Sequence, residues 1–105
     1  MHDFVDRWRI TWMEMWDQAF IDLIEPGYFL FDKDSRGEFV FGAVTGSLDL
    51  RVNTRSPELD YSWQGEDEGC AVCGRGNFIF PDPHHGEGVI YIHDGDESAI
   101  KIRRE

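Results

Sequence analysis

From Tyr28 onward, apolar and polar positions fall into strand-length runs separated by turn-forming residues. "YFLF" precedes "KDSRG", "EFVFGAV" precedes "TG", "SLDLRV" precedes "NTRSP" and "LDYSW" precedes "QGEDEG". "NFIF" then precedes "PDPHHGEG", "VIYIH" precedes "DGD", and "SAIKIRR" closes the series. Runs of this length, broken by Gly, Asp, Asn and Pro, predict an antiparallel meander. The expected fold is all-β, a small meander barrel of about seven or eight strands, with closure as a sandwich left open. Alternation marks an inward face: Leu48, Leu50 and Val52 against Asp49 and Arg51; Leu59, Tyr61 and Trp63 against Asp60 and Ser62; Ile100 and Ile102 against Lys101 and Arg103. In "YFLF", "FVFGAV", "FIF" and "VIYI" both faces are apolar, so part of the outer wall needs a cover. Either the N-terminal segment or a second subunit supplies it, and a homodimer is expected on this ground.

The N-terminal segment supports two readings. Phe4, Trp8, Trp12, Met15, Trp16, Ala19, Phe20, Leu23 and Ile24 recur at helical spacing and stop at Glu25-Pro26-Gly27, which favours one long helix. Trp8, Ile10 and Trp12 also alternate with Arg7, Arg9 and Thr11, which fits a first strand followed by a short helix in "WDQAFIDLI" across a barrel mouth. The order "RWRITWMEMWDQAFIDLIEPGYFLF", "GEFVFGAVTGSLDLR", "YSWQGEDEG", "GRG" and "IHDGDES" resembles a family of small uncharacterised bacterial proteins, over about Arg7 to Arg103. An early Trp, a short helical segment and a meander are also similar to the lipocalin-like and fatty-acid-binding barrels, although "DRW" lacks the Gly of the lipocalin G-x-W motif. These resemblances imply architecture only, and they favour strand followed by short helix.

Length adds that the 105 residues form one domain with one core. Charge narrows the partners: 21 acidic against 10 basic side chains give a net charge of -11, which repels a phosphate backbone and argues against nucleic acid. A basic protein or cationic ligand is the better electrostatic match. No basic segment followed by an apolar one opens the chain, and no stretch approaches a membrane span, so a cytoplasmic protein without membrane contact is expected. Four tryptophans and eight phenylalanines require a buried interior and exclude a disordered tail.

Candidate chemistry is sparse. Cys70 and Cys73 are C-x-x-C spaced, but in an extended strand they face opposite sides. A tetrahedral zinc site would need them on a tight turn, joined by His84 and His85. A thioredoxin-like site lacks the surrounding βαβ pattern. "DKDSRGE" begins like a calcium loop, yet Arg36 and Ala43 stand where ligands are required, and a hairpin loop explains it. "HDGDES" is first a hairpin turn, and "GCAVCGRG" lacks the Lys-Ser/Thr of a P-loop. No metal or cofactor is expected, and no nucleophile with a base partner is evident. The remaining pattern is carboxylates: Asp17, Asp22 and Glu25 border the short helix, and Glu66, Asp67 and Glu68 follow Trp63.

The leading expectation is therefore a non-enzymatic binding module for a small apolar or cationic molecule. Trp12, Trp16 and Trp63 would be its contact aromatics and Asp17 and Glu66 its polar anchors. The alternative is an acidic interaction protein, immunity-like or mimicking nucleic acid, that binds a basic protein. A core packed full of Trp and Phe would favour this alternative.

Overall fold

The computed structural model describes residues 4–53 and 55–105. Eight strands close into an antiparallel barrel in simple sequence order. They are β1 (Asp6–Met13), β2 (Tyr28–Phe31), β3 (Arg36–Phe41), β4 (Val44–Val52), β5 (Glu58–Asp67), β6 (Cys70–Asp82), β7 (His85–Ile92) and β8 (Glu97–Arg104). The one helix among the described residues, α1 (Gln18–Ile21), lies between β1 and β2. The meander expected from the turn signals is thus observed, and it closes because β1 pairs with both β2 and β8. Closure satisfies two strand edges at once, and this overrides the helical spacing of the N-terminal residues.

Strand limits depart from the sequence reading in informative places. The turn between β3 and β4 is Gly42-Ala43, and the "TG" of Thr45-Gly46 lies inside β4. Gly42 takes φ +57, and Phe20 lies so close that a Cβ there would sit 2.4 Å from its ring. Gly46 faces inward beneath Phe39 and Trp63, where an added Cβ would meet Phe39 at 2.4 Å. "QGED", read as connection, is the end of β5 and pairs with "CAVC", the start of β6 and a strand as expected, around a two-residue turn at Glu68-Gly69. That turn has φ 51 and φ 85, the left-handed pair of a type I′ hairpin.

Inward positions carry the core. Phe29, Phe31, Phe39, Phe41 and Phe78 are fully buried with Trp8, Ile10, Leu59, Ile90, Ile100 and Ile102. Rings pack at centroid distances of 5.0 Å for Phe29–Phe39, Phe29–Phe78, Phe39–Trp63 and Trp8–Phe80. Phe4 stacks on Phe80 at 4.2 Å and closes the end of the barrel opposite α1. Tyr61 and Trp63 reach under β6, where Gly76 and Gly74 leave room, and donate to the carbonyls of Val89 (2.9 Å) and Tyr91 (3.3 Å). Burial raises the Tyr61 hydroxyl pKa well above its ordinary value.

The outer apolar wall is covered in part by the chain itself. Tyr28 and Val40 are buried, with the Arg7 guanidinium 3.8 Å above the Tyr28 ring and the Tyr28 hydroxyl donating to Glu38. Burial, then the Glu38 contact, pushes the Tyr28 pKa up to about 12. Trp12, Met15, Leu23, Ile24 and Ile79 stay exposed.

Candidate functional site

Four connections share one end of the barrel: the loop carrying α1, Gly42-Ala43, Glu68-Gly69 and the β7–β8 turn after Ile92. The α1 loop is tied down at several points. Asp17 caps α1 by accepting from the Phe20 N–H (2.9 Å), and the Gly42 N–H donates to the Ile21 carbonyl (2.8 Å). Asp22 takes both terminal nitrogens of Arg9 at 2.7 and 2.8 Å and also accepts from the Gly27 N–H at 2.8 Å. The Arg9 hydrogen bonds hold the Asp22 carboxyl well below the usual carboxylate range, against the opposing effect of burial. Trp16 then rests on Phe41 at 4.9 Å and on Phe20 at 6.3 Å, forming an apolar lid.

Of the five residues selected from sequence, this end holds four, but not around a common hollow. Trp63 is 4% exposed inside the barrel, and Trp16 connects to it through a continuous ring path, Phe41 to Phe39 to Trp63. Asp17 is engaged as a helix cap, and exposed Glu66 lies between Thr45 and Ala71 on neighbouring strands. Trp12 is placed differently from the sequence alternation. The β1–β8 register shifts between Ile10 and Trp12, a bulge that turns Met13 inward and leaves Trp12 44% exposed on the outer wall, 5.4 Å from the Lys101 ammonium. The space in which a ligand would touch Trp16 and Trp63 together is taken by phenylalanine rings.

The end is strongly acidic. Glu14, Asp17, Glu66, Asp67, Glu68, Asp94 and Asp96 lie on or beside its connections, and those connections contain no Lys or Arg. One of these acids, Glu68, occupies a left-handed backbone conformation, φ 51, that its side chain disfavours.

The zinc and calcium readings are resolved by placement. Cys70 and Cys73 are exposed on regular β6 positions at the α1 end, whereas His84 and His85 lie beyond the far end of the same strand, about 30 Å away at strand rise. His85 instead approaches Asp82 at 3.0 Å. The His84 backbone N–H, then the His85 ring, lowers the Asp82 pKa. Asp32 uses one oxygen to accept from the N–H groups of Asp34 (2.8 Å) and Arg36 (3.1 Å), shaping the β2–β3 hairpin loop. Among the described residues, no three His, Cys, Asp or Glu side chains are grouped for a metal ion. Nor is any helix long and apolar enough to cross a membrane. The Arg9–Asp22 clamp escaped sequence reading because nothing local pairs charges that meet only once the loop has folded back.

No protein-family model, curated protein or solved structure matches the chain.

Proposed function

We propose that this barrel is an interaction module whose acidic end engages a basic protein. The observation that carries this reading is the filled interior: aromatic rings occupy the axis from Phe4 to Trp16, so the surface, and not the lumen, is offered to a partner. Its most one-sided surface is the α1 end, where carboxylates project from three connections with no guanidinium or ammonium among them. Such a field accelerates encounter with a cationic surface and weakens with salt. Glu68 supports the same reading, since Asn-Gly suits a type I′ turn better and the acid is held there at a backbone cost.

Calorimetric titration with an oligolysine peptide at low and high NaCl tests the proposal. Binding should be saturable, fall steeply as salt rises and weaken in the Glu66→Gln/Asp67→Asn/Glu68→Gln variant. Neutralising Asp34 and Glu58 at the opposite end should change it little. Equal loss from both ends, or binding indifferent to salt, would remove the acidic end as the docking surface.

A further inference from the structure

A separate feature lies on the outer wall of β4 to β7. Three shallow depressions run into one another there: Ser62 and Cys73 border the first two, and Arg75 and Tyr91 the second and third. The wall bends at glycines. A Cβ added at Gly65 or Gly74 would lie 1.8 Å from a neighbouring strand's carbonyl oxygen, and at Gly88 1.9 Å. No other residue permits that approach, and strands kinked this way curl the sheet. The result is a trough with small side chains, Ser62 and Cys73, on its floor and longer polar groups along its sides.

Three properties of the lining select a ligand chemistry. First, the side chains of Ser62, Gln64 and Asn77 have no hydrogen-bond partner among the described residues, so they present free donors and acceptors. Second, both signs of charge are present: Arg75 has no carboxylate partner among the described residues and lies 5.3 Å from the Tyr91 ring centre, while Asp60 borders the same depression. Third, apolar side chains under the trough, Trp63 and Leu48, are almost wholly buried and offer no anchor pocket.

These properties exclude other occupants in turn. A closed barrel has no strand edge on this wall for an extended peptide to join. A protein partner lacks the desolvated apolar pocket that anchors its central side chains. A polyanion meets a net charge of -11. A chain of neutral hydroxyls fits: each hydroxyl both donates and accepts, and vicinal pairs match the carboxylate, the amides and the guanidinium that Tyr91 holds over its ring. We infer that the trough on β5, β6 and β7 binds a neutral oligosaccharide.

Cys73 provides the test, because it lies on the trough floor while Cys70, on the same strand, is exposed outside it. Alkylation of the intact protein by iodoacetamide is followed at each thiol by peptide mass. It is run alone and with millimolar cellohexaose, maltohexaose, xylohexaose or chitohexaose. At least one of these sugars should slow Cys73 several-fold, leave Cys70 unchanged and act equally at low and high salt. Arg75→Ala and Tyr91→Ala should abolish the protection while the Cys70 rate and the melting temperature stay at wild-type values. Failure of all four sugars, equal slowing of both thiols, or better protection by hexaglutamate or hexalysine would overturn the inference. The oligolysine titration at the acidic end reads a different surface, so either proposal can fail alone.

Discussion

Gly74 carries more of the fold than its lack of a side chain suggests. It sits where the Trp63 indole passes under β6 to reach the Tyr91 carbonyl, and a methyl group there would lie 1.8 Å from that oxygen and 2.8 Å from the indole nitrogen. Neither neighbour can yield cheaply, because one is backbone and the other is packed against Phe39. Gly69 has the opposite constraint: φ +85, but nothing within 4 Å of an added Cβ. Gly74→Ala should therefore cost about 3 kcal/mol or more through overpacking and a lost hydrogen bond. Gly69→Ala should cost only about 1 kcal/mol, the strain of a left-handed residue. Urea unfolding of the two variants decides it, and equal losses would show that backbone conformation, not packing, makes Gly74 necessary.

At the level of elements, the α1 loop depends on one ion pair more than on its helix, which at 4 residues is too short to persist by itself. Asp22 and Arg9 form a two-pronged contact with side chains 26% exposed, so screening only partly weakens it. Asp22→Asn should cost about 1.5–3 kcal/mol at neutral pH. The folded carboxyl has a depressed pKa, so its contribution is complete above the unfolded value and is lost as pH falls toward the folded one. With an unfolded pKa of about 3.9, the penalty of Asp22→Asn should shrink by about 1 kcal/mol between pH 5 and pH 3. A pH-independent difference in urea unfolding would assign the effect to packing. The existence of most strands was legible because Leu48 and Leu50, Leu59 to Trp63, and Ile100 and Ile102 alternate as the inward face requires. Their limits were not, because Gly46 and Gly65 read as turn formers when their role is to admit a ring or a neighbouring carbonyl. Trp12 was misplaced for a related reason: a bulge at Thr11 leaves no local mark, yet it reverses the facing of everything after it. Aromatic and acidic residues of the candidate site were visible in the sequence, but whether rings would line a pocket or fill it depended on side chains brought together from β3, β5 and the α1 loop.

Across the whole molecule, charge is segregated. Lys33, Arg36, Arg51, Arg55, Arg103 and Arg104 lie toward the end opposite α1, where ion pairs such as Arg51–Asp49 (2.8 Å) and Arg104–Asp6 (3.3 Å) form, whereas Glu66, Asp67 and Glu68 at the α1 end have no such partner among the described residues. Like charges held together by folding oppose the folded state, and salt relieves that opposition within a Debye length of about 10 Å at moderate ionic strength. Glu66→Gln/Asp67→Asn should therefore raise the melting temperature by a few degrees at low salt, and the gain should shrink as NaCl is added. The pair is chosen without Glu68 so that relief of its left-handed backbone does not enter the comparison. Differential scanning calorimetry at low and high salt reads both effects, and an unchanged or salt-independent melting temperature would mean that the end is not self-repelling. If the same neutralisation stabilises the barrel while oligolysine binding weakens, the acidic end is a surface held against stability, as a binding site is and a merely solubilising one need not be.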